Sequence, residues 1–200
     1  MNTTEKQLPD TYLVLSEFRK NDVYLQDMNK EEFITDFFPP TFPLLVQRLS
    51  DITGAFYAGM LKQTGELFGE EAIRKLSEAF FYDLGTKTAL RNLNIHPNLT
   101  SSIPDMTKIL LATVFTSSPE YNFEVDVLNK NQLHLQVKGI DRYHKATQQF
   151  HISESLEWPV IKDFIRGICD GMKLDVSFEM KVLQLQEDSS CHYELIVNHH

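Results

Sequence analysis

The sequence predicts an α+β fold in which N-terminal helices precede a four-stranded antiparallel sheet made of two hairpins separated by two helices. Three observations predict it. Apolar residues recur at steps of three and four through the first half of the chain; the period then drops to two in two separate stretches, 121–137 and 176–197; and the segment between them returns to the helical period. An antiparallel sheet with one apolar face needs a cover, and the helices before and between the hairpins are long enough to supply it.

Residues 1–27 are polar and weakly patterned, with one short apolar segment, Tyr12–Leu15, that suits a strand or an arm laid on a partner. They are read as an N-terminal arm, and residues 28–198 as a single α+β domain. Asn29-Lys30-Glu31-Glu32 places a capping residue three positions before a glutamate, and Pro39-Pro40 stops the short helix that follows. Leu45, Leu49, Ile52, Phe56 and Met60 share one face of a long helix ending near Gly69, with Gln47, Arg48, Asp51 and Lys62 on the other. A third helix from about Glu70 carries Ile73, Leu76, Phe80 and Leu84 at the same spacing. A fourth begins after Ser102, with Pro104 tolerated in its first turn.

In the first hairpin, Tyr121, Phe123, Val125 and Val127 alternate with polar residues, as do Leu133, Leu135 and Val137, and Asn129–Asn131 supplies the turn. A helical stretch runs from Asp141 through Gln149. Another starts near Ser155, with Pro159 in its first turn and Ile161, Ile165, Ile168 and Met172 on one face. Val176, Phe178, Met180 and Val182 then alternate until Leu183 and Leu185 take the opposite parity, which predicts a bulge near Val182-Leu183. Cys191, Tyr193, Leu195 and Val197 complete the second hairpin.

Composition narrows the function classes. The chain has 200 residues, 42% hydrophobic and 24% charged, which rules out collagenous, low-complexity and wholly disordered readings. The net charge of −9 is spread over both halves, so no basic footprint marks nucleic acid or an anionic membrane as the principal partner. The apolar runs are far too short for membrane insertion. No secretory pattern opens the sequence, so Asn2-Thr3-Thr4 and Asn98-Leu99-Thr100 are discounted as glycosylation sites. Two cysteines, Cys169 and Cys191, are too few for a disulfide scaffold and fit a reduced, cytoplasmic compartment.

No glycine-rich loop precedes a helix with Lys-Ser or Lys-Thr; Gly54, Gly59, Gly65 and Gly69 fall within or at the end of a helical pattern. The Gly54–Gly59 face lets another helix, or a flat ligand, approach the backbone closely. No histidine pair has metalloprotease spacing, and no metal site is expected. In Asp141-Arg142-Tyr143-His144-Lys145, ionisable side chains crowd a helix start, where the dipole favours Asp141 and disfavours protonated His144. That cluster reads either as a site or as a capped, solvated helix start. Cys169 and Cys191 read as buried, small hydrophobes with raised thiol pKa values.

Phe164-Ile-Arg-Gly-Ile-Cys-Asp-Gly-Met172, followed by an alternating strand and Cys191-His-Tyr-Glu-Leu-Ile-Val197, resembles the end of the 4-vinyl reductase domain and its haem nitric-oxide-binding relatives. Upstream, Tyr57-Ala-Gly-Met-Leu61, Leu67-Phe-Gly-Glu-Glu-Ala72 and Asp141-x-Tyr143-x-Lys145 resemble the L-2-amino-thiazoline-4-carboxylic acid hydrolase-like group. The resemblance implies a sensor or carrier that encloses a small, largely apolar or aromatic molecule between helices and sheet. The candidate wall residues are Phe56, Tyr57, Met60, Phe80, Phe81 and Ile168, with Tyr143 and His144 as polar groups at the mouth. The haem-binding branch carries a Tyr-x-Ser-x-Arg signature that this sequence lacks, so haem is disfavoured and the cofactor is left open. Two alternatives stand beside this reading. One is a small hydrolase using Asp141, His144 and Cys191; the other is a ligand-free homodimeric interaction module formed by the second helix and the N-terminal arm.

Overall fold

The computed structural model describes residues 8–200. Of the N-terminal arm, residues 1–7, including Asn2-Thr3-Thr4, lie outside the described residues. The chain divides into two compact units, one ending at Leu49 and one running from Ser50 to His200.

In the first unit, the Tyr12–Leu15 segment is helical, within α1 (Asp10–Leu15), and is followed by a 3₁₀ turn at Ser16–Arg19. The Thr11 hydroxyl donates to the Pro39 carbonyl at 2.6 Å, and the Tyr12 ring meets Phe38 edge-on at 5.4 Å. A lone strand here would leave its backbone groups without a ladder, whereas a helix satisfies them internally. Asn29 caps α2 (Lys30–Phe37), accepting from the Glu32 N–H at 3.2 Å. The helix α3 (Phe42–Phe68) runs across the division between the units.

The second unit contains the rest of α3, α4 (Glu70–Ile95) and α5 (Ile103–Ser117), then β1 (Tyr121–Leu128) and β2 (Gln132–Ile140). Between the hairpins come α6 (Arg142–Gln149) and α7 (Ile161–Gly171), and β3 (Val176–Leu185) and β4 (Ser190–His199) complete the chain. The α+β architecture is as the periodicity predicts. All strand pairs are antiparallel, in the order β1-β2-β4-β3, so the two hairpins join along β2 and β4. Val137 lies opposite Tyr193, Leu135 opposite Leu195 and Leu133 opposite Val197. All six are buried on the face that meets the helices, while His134, Gln136, Lys138, His192 and Glu194 take the other parity. The predicted bulge appears as a register shift between Val182 and Gln184. The helix expected from Ser155 begins later, at Ile161. Leu156 is extended, and a residue preceding proline, as Trp158 does Pro159, is pushed away from helical geometry.

The helix faces differ from those that hydrophobicity marks. In α4 the buried line is Ile73, Ser77, Phe81, Gly85 and Ala89, whereas Leu76, Phe80 and Leu84 are 40–48% exposed. In α3 the buried line is Ser50, Gly54, Ala58 and Leu61, whereas Phe56 and Met60 are 72% and 63% exposed. Close backbone approach is the cause. A Cβ on Gly85 would lie 2.1 Å from the Phe164 carbonyl oxygen of α7, and one on Gly167 would lie 2.1 Å from the Tyr82 carbonyl oxygen of α4. Only small residues fit where two helix backbones come that near. At Gly54 an added Cβ would sit 3.4 Å from the Ala146 Cβ, so helix packing, here by α6, occupies that glycine face.

Candidate functional site

The α6 start is built by its cap. Asp141, fully buried, accepts from the Tyr143 and His144 N–H groups at 2.9 and 3.0 Å through one oxygen and from the Tyr193 hydroxyl at 2.8 Å through the other. This ties α6 to β4 and aims the next two side chains. Arg142, only 7% exposed, donates through Nη1 to the Ser50 hydroxyl at 3.1 Å and to the Thr53 hydroxyl at 2.9 Å. Through Nη2 it donates to the Tyr143 hydroxyl at 2.6 Å, and its guanidinium carbon lies 4.4 Å from the Tyr143 ring centre. Its Nε has no hydrogen-bond partner.

Arg142 and Tyr143 form the polar end of a cavity of about 210 Å³. Its remaining walls come from helices and one loop residue: Phe81, Leu84 and Thr88 of α4; Thr113, Val114 and Ser117 of α5; Ser118; and Ile161 and Phe164 of α7. No strand residue lines it, so this space lies among helices rather than between helices and sheet. Burial raises the Tyr143 phenol pKa, with Arg142 acting against that rise. A second, more open groove of about 430 Å³ runs between α3 and α4, lined by Thr53, Phe56, Tyr57, Met60, Leu61, Leu76 and Phe80.

The two spaces share an aromatic cluster. The Tyr57 ring lies edge-on to Phe81 at 5.4 Å and to Tyr143 at 5.3 Å, and Phe81 meets Tyr143 at 5.0 Å. The Tyr57 hydroxyl pairs with Ser77 at 2.7 Å, and burial drives its pKa well up. The structure therefore brings together Tyr57, Phe80, Phe81 and Tyr143, and puts Phe56 and Met60 on the outer groove. Ile168 is fully buried in the main core and lines neither space.

His144 also stands apart. It is buried, its Nδ1 lies 2.9 Å from the Ser189 hydroxyl, and its ring meets Trp158 edge-on at 4.8 Å. Burial lowers its pKa from 6.5, while Asp141 acts in the opposite sense. Cys191 is buried on β4, and its thiol is pushed up to about 12, first by burial and then by the Asp141 charge. Asp141, His144 and Cys191 thus each have a structural setting: a cap with three accepted bonds, a buried imidazole on a hydroxyl, and a thiol held protonated. Neither space is lined by a histidine or cysteine; the side chains with axial-ligand chemistry in them are Tyr143, Tyr57 and Met60.

Of the cavity residues, sequence reasoning singled out Phe81 and Tyr143 for ligand contact and missed the rest, Arg142, Val114, Ile161 and Phe164 among them. The one available signal was the crowding of ionisable groups at 141–145, since a helix start packed against the core buries some of them.

No protein-family model and no curated protein matches the chain. Among solved structures it is similar to the phenol-responsive sensory domain of the transcription activator PoxR with phenol. The identity is 10% and the TM-score 0.45, over 73% of this chain and 74% of that one. It is also similar to a trafficking protein particle complex subunit 3 from Naegleria fowleri covalently bound to palmitic acid, at 13% identity and TM-score 0.42, over 76% of this chain and 95% of that one. At these values neither likeness carries an argument about function, which rests on the cavity itself.

Proposed function

We propose that this chain is a small-molecule sensor or carrier domain of the 4-vinyl reductase and haem nitric-oxide-binding-like superfamily, and that it holds a small, largely apolar ligand. The order of helices, hairpin, two helices and hairpin supports the superfamily. One observation carries the function: a cavity among four helices with mostly apolar surface, hydroxyl residues of α4 and α5 in its lining, and Arg142 and Tyr143 at one end. Ligand pockets have this composition, because apolar walls supply affinity and a few polar groups fix orientation. Phe81 and Tyr143 are the inner wall, and Phe56, Tyr57, Met60 and Phe80 form the outer approach. The two free, buried cysteines accord with a reduced, cytoplasmic setting.

Native mass spectrometry of protein purified without added ligand, with an absorption spectrum alongside, tests this directly. Extra mass released on denaturation supports a ligand-holding domain, and a Soret band would restore haem. A bare mass that stays bare after incubation with small aromatic and aliphatic molecules contradicts it.

A second reading, an interaction module, is favoured by one observation, the exposure of Phe56 and Met60 on α3. A molecular mass that rises with protein concentration, and falls back in Phe56→Ser, would support it.

A further inference from the structure

Resting on the cavity reading above, we infer that the ligand is a small organic anion, a carboxylate borne on a single ring or an apolar body of similar size, with its oxygens on Arg142. Arg142 is a permanent cation that is more than nine-tenths buried, yet among the described residues none of its N–H groups hydrogen-bonds a carboxylate. Nη1 is used by Ser50 and Thr53, Nη2 by the Tyr143 hydroxyl, and Nε by nothing. Three acidic groups lie close by, and among the described residues each accepts from another group, Asp141 from the α6 N–H groups and the Tyr193 hydroxyl. Glu120 reaches Arg142 through the Ser50 hydroxyl, which donates to it at 2.8 Å while accepting from Nη1, and Asp51 is paired with Lys145 at 3.1 Å.

A guanidinium withdrawn from water without a directly bonded counter-charge is costly, and its planar fork matches a carboxylate. An anion at this end of the cavity offsets that cost. The Tyr143 hydroxyl accepts from Nη2, so its own proton remains to donate to a second oxygen. Beyond this end, Phe81, Leu84, Val114, Ile161 and Phe164 offer apolar surface to the body of the ligand, beside the hydroxyl residues Thr88, Thr113, Ser117 and Ser118. Size suits a single ring: apolar cavities of about 150 Å³ accept benzene, so about 210 Å³ admits one ring with a small substituent.

Calorimetric titration of the full chain with benzoate, benzamide and toluene tests the inference. These probes share a ring and differ in the head: anionic, neutral and polar, or absent. Benzoate should bind about tenfold or more tightly than benzamide, the scale of a charged hydrogen bond over a neutral one. In Arg142→Gln, checked for folding by circular dichroism, benzoate should fall to the benzamide level while toluene is unchanged. Benzamide or toluene binding as tightly as benzoate, or benzoate binding unaltered in Arg142→Gln, overturns the anionic ligand and leaves the cavity reading standing. Failure of all three probes to bind overturns both. If Arg142→Gln does not fold, the benzoate-to-benzamide ratio of the unmodified chain decides alone.

Discussion

Asp141 uses both carboxylate oxygens on structure, capping α6 with one and holding the Tyr193 hydroxyl of β4 with the other. Asp141→Ala removes the cap and takes the carboxylate partner from a fully buried phenol, so it should lower stability by about 2–4 kcal/mol in urea unfolding. A loss no larger than that of an exposed aspartate would show that the cap is dispensable. His144 gives a pH signature. Its folded pKa lies below the unfolded 6.5, so the unfolded state takes up protons first and stability falls as pH drops through 6.5 toward the lowered value. The urea midpoint should therefore fall between pH 7.5 and 5.5, and His144→Gln should flatten that decline; an unchanged slope in the variant would place the effect elsewhere. At this scale the sequence was partly legible. The dipole argument named Asp141 as favoured, and the cap agrees with it; protonated His144 is disfavoured too, but by burial rather than by the dipole. Arg142 was hidden because arginine beside aspartate at a helix start reads as a solvated pair, and nothing local shows that Ser50, Thr53 and Tyr143 will surround it.

Helix positions were legible from period and capping, but their inner faces were not. The four-residue spacing that put Phe56 and Met60, or Phe80 and Leu84, on one face is real, yet the core accepts the adjoining line of small residues. A hydrophobicity pattern weighs side-chain size, whereas the α4–α7 pair is set by how near two backbones come at Gly85 and Gly167. Gly85→Ala should therefore destabilise by about 2–3 kcal/mol, since the added methyl meets backbone atoms that have nowhere to move. Gly59→Ala offers the contrast. Its Cβ would stand 3.5 Å from the Phe150 ring, an ordinary contact, so the variant should be neutral or stabilised by up to about 1 kcal/mol through helix propensity. Equal losses in the two variants would remove close packing as the explanation. Strand faces were read more surely than helix faces, because alternation leaves one parity to be buried: Leu133, Leu135, Val137, Tyr193, Leu195 and Val197 all point inward.

For the molecule as a whole, the order of elements followed from the sequence, because each change of period marks a change of element. The cavity did not, since it is assembled from α4, α5, α6 and α7, which lie far apart along the chain and are joined only by packing. Filling it should abolish binding while keeping the fold. Val114 is 3% exposed and lines the space, so Val114→Phe places a ring where the ligand body would lie. The decisive measurement is a methyl-detected NMR titration of the full chain with toluene and benzoate. Shifts concentrated on the Val114, Leu84 and Ile161 methyls, with the Leu84 and Ile161 shifts lost in Val114→Phe, are the predicted result. Methyl signals that stay fixed at saturating probe, or Leu84 and Ile161 shifts that persist unchanged in Val114→Phe, would contradict a ligand-holding cavity at this place in the fold.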